Sequence, residues 1–147
     1  MTEPTRKLAA IVFTDIVGFT KLTSEDQSQA SSLLKKQRKL FQPLVEQFNG
    51  SWIKEMGDGL ILTFDTVTDA VNCCIKLQEV SKQIDDLNLR IGIHEGEILI
   101  EENDIIGDDV NIAARIEPFS APGGIAISHK VHDAIVRESE FTTKYLG

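Results

Sequence analysis

Residues 8–20 carry the sequence LAAIVFTDIVGFT, which joins a short apolar run to an aspartate and a glycine. The run Leu8–Phe13 is apolar and partly β-branched, which is typical of a buried strand. Residues 54–64, KEMGDGLILTF, place a two-glycine turn before a second such run. Asp15 therefore ends one predicted strand and Asp58 precedes another, so that neighbouring strands would bring the two carboxylates together. Because like charges at close range repel, this arrangement favours a divalent cation between them.

Length and composition predict one globular domain with a core of its own. The chain has 147 residues, of which 41% are hydrophobic and 26% are charged. Its net charge of -8 disfavours a nucleic-acid partner, because duplex binders usually present a basic face. No apolar run approaches the ~18 residues of a membrane span, and no signal peptide is recognisable, so we expect no membrane insertion.

Two adjacent cysteines, Cys73 and Cys74, fall in a predicted helix. Their side chains would diverge there by about 100°, which makes them poor disulfide partners. They are better interpreted as buried small hydrophobes in a reducing compartment, and we expect a cytoplasmic domain.

Helical and strand patterns alternate along the rest of the chain. Helices are predicted over Ser31–Phe48, from Thr66 or Thr68 to about Gln83, from Asp108-Asp109 to near Pro118, and from Ser128 to about Arg137. Strands are predicted over Ser51–Met56, Leu60–Phe64, Leu89–Ile100 and Ile125–Ile127, the first two forming a hairpin.

Three features of this pattern carry specific expectations. Pro43 should kink the first long helix or divide it into two. Gly92 and Gly96 suggest a bend or bulge, so that Leu89–Ile100 forms one long strand or two short ones. No strand follows Lys144, and the C-terminal strands therefore look truncated, as in a domain excised from a longer protein.

The order of elements predicts an α+β fold with one sheet covered by helices. Four stretches then make the fold specific: Phe13–Thr20, Lys54–Gly59, Leu89–Gly96 and Asp104–Arg115. They resemble, in order and spacing, the motifs of class III nucleotide cyclases, and the resemblance covers nearly the whole chain as a single catalytic domain, residues 1–147. It implies a ferredoxin-like, palm-like fold with an antiparallel or mixed sheet.

The resemblance assigns the metal and phosphate residues. Asp15 and Asp58, assisted by the carbonyl of Ile16, would hold two Mg²⁺ or Mn²⁺ ions, since hard cations prefer oxygen ligands. Backbone N–H groups at the helix start, at Gly18, Phe19 and Thr20, would bind phosphate, and Gly18 has no Cβ to keep it away. Arg90 resembles the family's phosphate-contacting arginine.

Four further residues resemble those that recognise the nucleotide and stabilise the reacting group. Lys54 donates and Asp104 accepts, which matches the N1 acceptor and N6 amino donor of adenine and predicts ATP rather than GTP. Asn111 would orient the ribose, and Arg115 would stabilise charge on the transferring phosphoryl group. Members of this family are typically homodimers whose sites are shared between protomers, so we expect a homodimer that converts ATP to 3′,5′-cyclic AMP.

Two alternatives remain open. The first is a cyclase-like regulatory module that binds nucleotide with weak or no turnover. In the family a lysine near the C-terminal strands contacts the triphosphate. This lysine has no secure match here, because Lys144 lies too early in the sequence to be assigned to it. The second is a palm-like polymerase or diguanylate cyclase, whose Gly-Gly-Asp-Glu-Phe turn is absent.

The remaining polar and aromatic candidates are assigned structural positions. We expect His94, His129 and His132 to be satisfied or exposed and not to form a metal cluster, because no carboxylate or cysteine pattern accompanies them. Trp52 is expected in the core or at an interface.

Overall fold

A computed structural model describes residues 3–138 and 140–146. The strands are β1 (Thr5–Ile16), β2 (Gly50–Met56), β3 (Gly59–Phe64), β4 (Leu89–Glu101), β5 (Asp104–Ile106) and β6 (Ala126–Ile127). The helices are α1 (Phe19–Glu25), α2 (Gln27–Gln47), α3 (Val67–Ser81), α4 (Asp108–Ile116) and α5 (His129–Ile135), with a 3₁₀ turn at Glu117–Phe119. Within these residues, every helix is too short or too polar to cross a membrane.

The strands form one mixed sheet in the order β2-β3-β1-β4-β5, and β6 pairs with β4 in parallel. At its centre, β1 pairs antiparallel with both β3 and β4. Alternation along β1 separates two apolar clusters: Ala10 and Val12 belong to the larger one, with α2, α3 and α5. Ala9 and Ile11 belong to the smaller one, with residues of α4. By the same alternation, Asp15 lies on the α4 side of the sheet.

β4 is one long strand, which confirms the first of the two predicted forms, and the predicted bulge is wrong. Its pairing with β1 runs without a register shift from Leu89 to Ile100. The glycines have another purpose, because both face the α4 side. A Cβ at Gly92 would collide with the backbone of Glu117, and one at Gly96 would collide with the side chain of Asp109. The glycines therefore let the chain after β5 pack directly on the sheet.

Two helices follow β1, but they are not the two halves of Ser31–Phe48 that a division at Pro43 would give. The helix α2 runs unbroken through Pro43, so a division there is wrong. The break falls at Asp26, whose extended backbone separates α1 from α2. Its side chain accepts a hydrogen bond from the backbone N–H of Gln29 at 3.0 Å. Asp26 thus ends α1 with its extended backbone and begins α2 with its side-chain cap.

Most other elements agree with the sequence patterns. The hairpin β2–β3, the Thr66-capped α3, β6 and the Ser128-capped α5 are all present, and Trp52 packs against the larger apolar cluster. β1 is longer than the predicted run because β4 pairs with it from Thr5 to Ile16. β5 was not predicted.

The two cysteines are free and buried, as expected. Burial, with a smaller contribution from the charge of Asp69, raises the pKa of the Cys73 thiol to about 12. Neither side chain is therefore a candidate nucleophile.

Candidate active site

Asp15 and Asp58 lie close to the same end of the central strand β1. Asp15 lies near the end of β1, and Asp58 lies in the β2–β3 turn, where Gly57 has a φ of +60°. The Oδ2 atom of Asp58 accepts a hydrogen bond from the backbone N–H of Ile16 at 2.7 Å. This bond holds the turn against β1 and so places Asp58 beside the strand end that carries Asp15.

Arg90 stands directly opposite Asp15 in the β1–β4 pairing. Cross-strand partners in an antiparallel pair point to the same face. Arg90 therefore shares the α4 side of the sheet with Asp15, where it can reach an anion bound beside the aspartates.

A third carboxylate, Glu117, joins this cluster and was missed by sequence reasoning. It lies in the 3₁₀ turn after α4 and is only 8% exposed. Burial chiefly, and then its contact with Asp15, raise the pKa of the Glu117 carboxyl to about 8, while the positive charge of Arg90 opposes the rise. An acid that follows a helix and precedes a proline resembles an ordinary surface residue, so nothing in the sequence pattern marked it.

The donor set fits a divalent cation. One oxygen of Asp15 and one of Glu117 are buried without a hydrogen-bond partner among the described residues. Burying a charged carboxylate oxygen without a partner is costly, which is why the Glu117 carboxyl holds its proton to a raised pKa; a cation bound between the carboxylates would replace that proton and remove the cost. Carboxylates with a neighbouring backbone carbonyl are the ligands that Mg²⁺ and Mn²⁺ prefer.

The turn after Asp15 leads into α1. Gly18 is its N-cap, with a φ of +77° that favours glycine, and no side chain caps the helix. Gly18 and Phe19 line a cleft together with Lys21. Lys21 was not singled out from the sequence. It lies beside the predicted phosphate-binding segment, which also includes Thr20, but Glu25 and Asp86 line the same cleft and offset its positive charge.

Lys54 and Asp104 form an ion pair, with Nζ and Oδ2 3.1 Å apart. They belong to β2 and β5, the two end strands of the sheet order, so the curvature of the sheet brings them together. The other oxygen of Asp104 accepts the Ile105 N–H at 2.8 Å. This backbone bond first, and Lys54 second, hold the pKa of the Asp104 carboxyl below its ordinary value.

Asn111 and Arg115 lie on the exposed side of α4. The opposite side of the helix buries Val110 and Ala113 against the sheet. Within the residues that the structure describes, no hydrogen bond or ion pair joins Asn111 or Arg115 to Asp15 or Asp58. A single copy of the chain therefore brings together the aspartates, and separately the Lys54–Asp104 pair, but does not connect them to Asn111 and Arg115 by direct contacts.

The histidines occupy two environments. His94 is buried and hydrogen-bonded on both ring nitrogens. His129 and His132 lie near Asp133 at the surface of α5, with ligand atoms within 4.8 Å of one another. The expectation that no carboxylate accompanies them is wrong, because one turn of helix places His129 and Asp133 on the same face.

Comparison with known proteins identifies the family. The sequence profile described as "Adenylate and Guanylate cyclase catalytic domain" matches residues 2–147. A Rhizobium meliloti protein named "Putative adenylate cyclase 3" is 37% identical over an alignment of 138 positions, which covers 88% of this chain and 24% of that protein. The chain thus spans about a quarter of the length of this curated relative.

Solved structures agree in fold. An adenylate/guanylate cyclase/hydrolase from Silicibacter pomeroyi superposes with a TM-score of 0.85 at 35% identity, covering 96% of this chain and 87% of that one. The adenylyl cyclase CyaB from P. aeruginosa gives a TM-score of 0.83 at 26% identity, with 93% and 84% covered. The chain belongs to the class III adenylate and guanylate cyclase catalytic domains, and the predicted fold class is confirmed. The family includes enzymes for both purine nucleotides, so membership does not decide the base.

Proposed function

We propose that this domain is an adenylate cyclase, which converts ATP to 3′,5′-cyclic AMP and pyrophosphate. The observation that carries the choice of ATP is the Lys54–Asp104 pair, which holds a hydrogen-bond donor and an acceptor 3.1 Å apart. Adenine presents an acceptor at N1 and a donor at N6, so the pair can exchange its mutual contact for two bonds to the base. Guanine presents a donor at N1 and an acceptor at O6. The Lys54 donor would then face a donor and the Asp104 acceptor would face an acceptor.

The reaction itself is a phosphoryl transfer within one nucleotide. A bond forms between the ribose 3′-oxygen and the α-phosphorus, the bond from the α-phosphorus to the pyrophosphate oxygen breaks, and the 3′-hydroxyl proton leaves to solvent. Asp15 and Asp58, with the Ile16 carbonyl, would hold two Mg²⁺ or Mn²⁺ ions, which supply activation of the 3′-hydroxyl and neutralisation of the triphosphate. The chain's task is to position these groups in line.

The remaining residues divide between binding and charge stabilisation. Backbone N–H groups at Gly18, Phe19 and Thr20 would hold the phosphates, and Arg90 would contact them from the neighbouring strand. Asn111 would orient the ribose. Arg115 would donate hydrogen bonds to the oxygens of the transferring group, where negative charge accumulates.

A homodimer would complete the site. Asn111 and Arg115 are exposed and lack contacts with the aspartates of their own chain, whereas the reaction needs both sets around one nucleotide. A second copy, related by a two-fold axis, would supply them reciprocally and create two equivalent sites. The partners are therefore ATP and a second copy of this chain.

The direct test is product formation. The purified domain is incubated with ATP or GTP and with Mg²⁺ or Mn²⁺, and the cyclic products are separated by chromatography. We expect cyclic AMP in excess of cyclic GMP, and no product from Asp58→Asn. Asp65→Asn is the matched control, because Asp65 is an exposed aspartate paired with Lys7 at 2.6 Å. Comparable product from GTP would overturn the proposed role of Lys54 and Asp104.

The same experiment separates the binding-module alternative from the enzyme. A domain that binds ATP, as measured by calorimetry, and forms no cyclic product with either metal would be a nucleotide-binding module. The enzyme is supported by the ion pair of Lys54 and Asp104 and by the presence of six residues that would carry the reaction: Asp15, Asp58, Lys54, Asp104, Asn111 and Arg115.

A further inference from the structure

Hydrogen bonds join three side chains, those of Ser128, His94 and Asp109, into a row that links the starts of α5 and α4. His94 in β4 is 7% exposed. Its Nδ1 atom lies 2.8 Å from the Ser128 hydroxyl, and its Nε2 atom lies 2.8 Å from a carboxylate oxygen of Asp109. The imidazole thus joins the N-cap of α5 and the first turn of α4 to the same strand.

The neighbouring groups assign one hydrogen to each bond. Asp109 can only accept, so the Nε2–H group of His94 donates to it. In the neutral ring this leaves Nδ1 as an acceptor, so the Ser128 hydroxyl donates to it, while the same oxygen accepts the Val131 N–H at 3.3 Å. The second oxygen of Asp109 accepts the Glu97 N–H at 3.3 Å. With a single ring hydrogen on Nε2, every donor and acceptor in the row has a partner.

The Asp109 end of this row holds the start of α4. The N-cap of α4 is Gly107, which has no side chain to cap the helix. The Asp109 carboxylate instead reaches back onto β4, into the space that the missing side chain of Gly96 leaves open. Besides the two bonds of the Asp109 carboxylate, at 2.8 Å to His94 and at 3.3 Å to the Glu97 N–H, the helix meets the sheet through the apolar contacts of Val110 and Ala113. Apolar contacts have no preferred direction, whereas the hydrogen bond to the buried imidazole is directional and restricts where the Asp109 carboxylate, and with it the first turn of α4, can lie.

The position of α4 matters because Asn111 follows Asp109 by two residues and Arg115 by six. At 1.5 Å per residue, all three lie within about 9 Å along one rigid helix. A displacement of Asp109 therefore moves the other two by a similar distance.

We propose that His94 is a positioning residue for the cyclase reaction, which through Asp109 fixes the placement of helix α4 and so of Asn111 and Arg115. Its bond to Ser128 serves the start of α5 and does not act on the reaction. The catalytic consequence rests on the proposed function, whereas the tether of α4 to β4 does not.

Four variants separate the two arms of the imidazole. His94→Gln places an amide N–H where Nε2–H stood and keeps a donor for Asp109. His94→Asn is too short to reach it. Gly96→Ala leaves His94 intact but displaces the Asp109 carboxylate from β4, and Ser128→Ala removes only the α5 arm.

Catalysis supplies the first readout. Displacing a group by about 1 Å can cost about a hundredfold in rate, so His94→Asn and Gly96→Ala should lower kcat by about 10- to 100-fold while KM for ATP changes less than about threefold. His94→Gln should stay within about threefold of the parent in kcat, and Ser128→Ala should lower the melting temperature with kcat retained. If the loss of kcat follows the melting temperature across all four variants, the imidazole is merely structural and the proposal is wrong.

Hydrogen exchange supplies a second readout that needs no activity. Amides of Asp108–Ile116 should exchange about tenfold faster in His94→Asn and Gly96→Ala, with those of His129–Ile135 less affected in Gly96→Ala. Ser128→Ala should show the reverse pattern. Unchanged exchange of α4 in His94→Asn would overturn the tether. If the parent domain makes no cyclic product but its variants show this exchange pattern, the proposed function is refuted and the tether of α4 to β4 is supported.

Discussion

At the scale of single residues, the Lys54–Asp104 pair determines which nucleotide we expect the domain to use. Asp104→Ala removes the acceptor for the adenine amino group and leaves Lys54 without its partner. We expect kcat/KM for ATP to fall by about 10- to 100-fold and that for GTP to fall less, because unpaired polar groups penalise the base that needs them. Steady-state kinetics with both nucleotides measures this. Asp108→Ala, an exposed aspartate nearby, is the control, and an equal fall for both nucleotides would contradict a role in base selection.

Glu117 gives a second expectation at this scale, which concerns stability. Its pKa is raised to about 8 in the folded protein, chiefly by burial, from an ordinary value of 4.5. Between these values the folded chain holds a proton that the unfolded chain releases. Stability of the cation-free protein should therefore fall as the pH rises through this window.

Glu117→Gln should remove that fall, because the amide has no proton to lose. Melting temperatures measured in chelator across about pH 5 to 8 test this, with Glu79→Gln on the exposed face of α3 as the control. The same slope in the parent and in Glu117→Gln would show that another group is responsible.

Asp15 and Asp58 could be located from periodicity, because each flanks a predicted strand at its end or at a glycine turn. Lys54, Asp104, Asn111 and Arg115 were assigned only by resemblance to the family's motifs. Glu117 escaped notice because its burial depends on Gly92, twenty-five positions earlier, whose lack of a side chain admits the 3₁₀ turn. No local pattern contains that relation.

At the scale of elements, the two glycines of β4 leave room for Glu117 and Asp109 to pack closely against the sheet. In Gly92→Ala the new methyl group would meet the Glu117 backbone nitrogen at 2.5 Å, and backbone atoms cannot move aside as a flexible side chain can. We expect a loss of about 1–3 kcal/mol in the free energy of unfolding, as for an overpacked core. Chemical denaturation measures it, with Glu101→Ala at the exposed end of β4 as the control. Unchanged stability would show that the turn does not need the gap at Gly92.

Elements were predictable where the apolar pattern was long and its neighbours were simple. The hairpin, α3 and the first strand follow from periodicity and from the glycine turn. Pro43 did not divide α2, because the preceding turns of that helix bury Leu33, Gln37 and Phe41 and packing outweighs one lost hydrogen bond. β5 has three residues, too few for a period of two to be recognised, and its pairing with the end of β4 defines it.

At the scale of the whole molecule, charge and exposure both indicate that one copy is incomplete. A chain of net charge -8 would repel ATP unless cations occupied the acidic site, which accords with the orphaned oxygens of Asp15 and Glu117. Asn111 and Arg115 face outward on α4. We therefore expect the specific activity to fall on dilution as the dimer dissociates.

Mixing two inactive variants tests whether the domain is a cyclase whose site is shared between two copies. Asp15→Ala and Arg115→Ala are purified separately, confirmed to be inactive, mixed in equal amounts and assayed for cyclic AMP. Random pairing makes about half of the dimers mixed, and each mixed dimer has one intact site of two, so the mixture should recover about a quarter of the parent activity. A mixture that stays as inactive as its components would show that Asp15 and Arg115 act within the same chain.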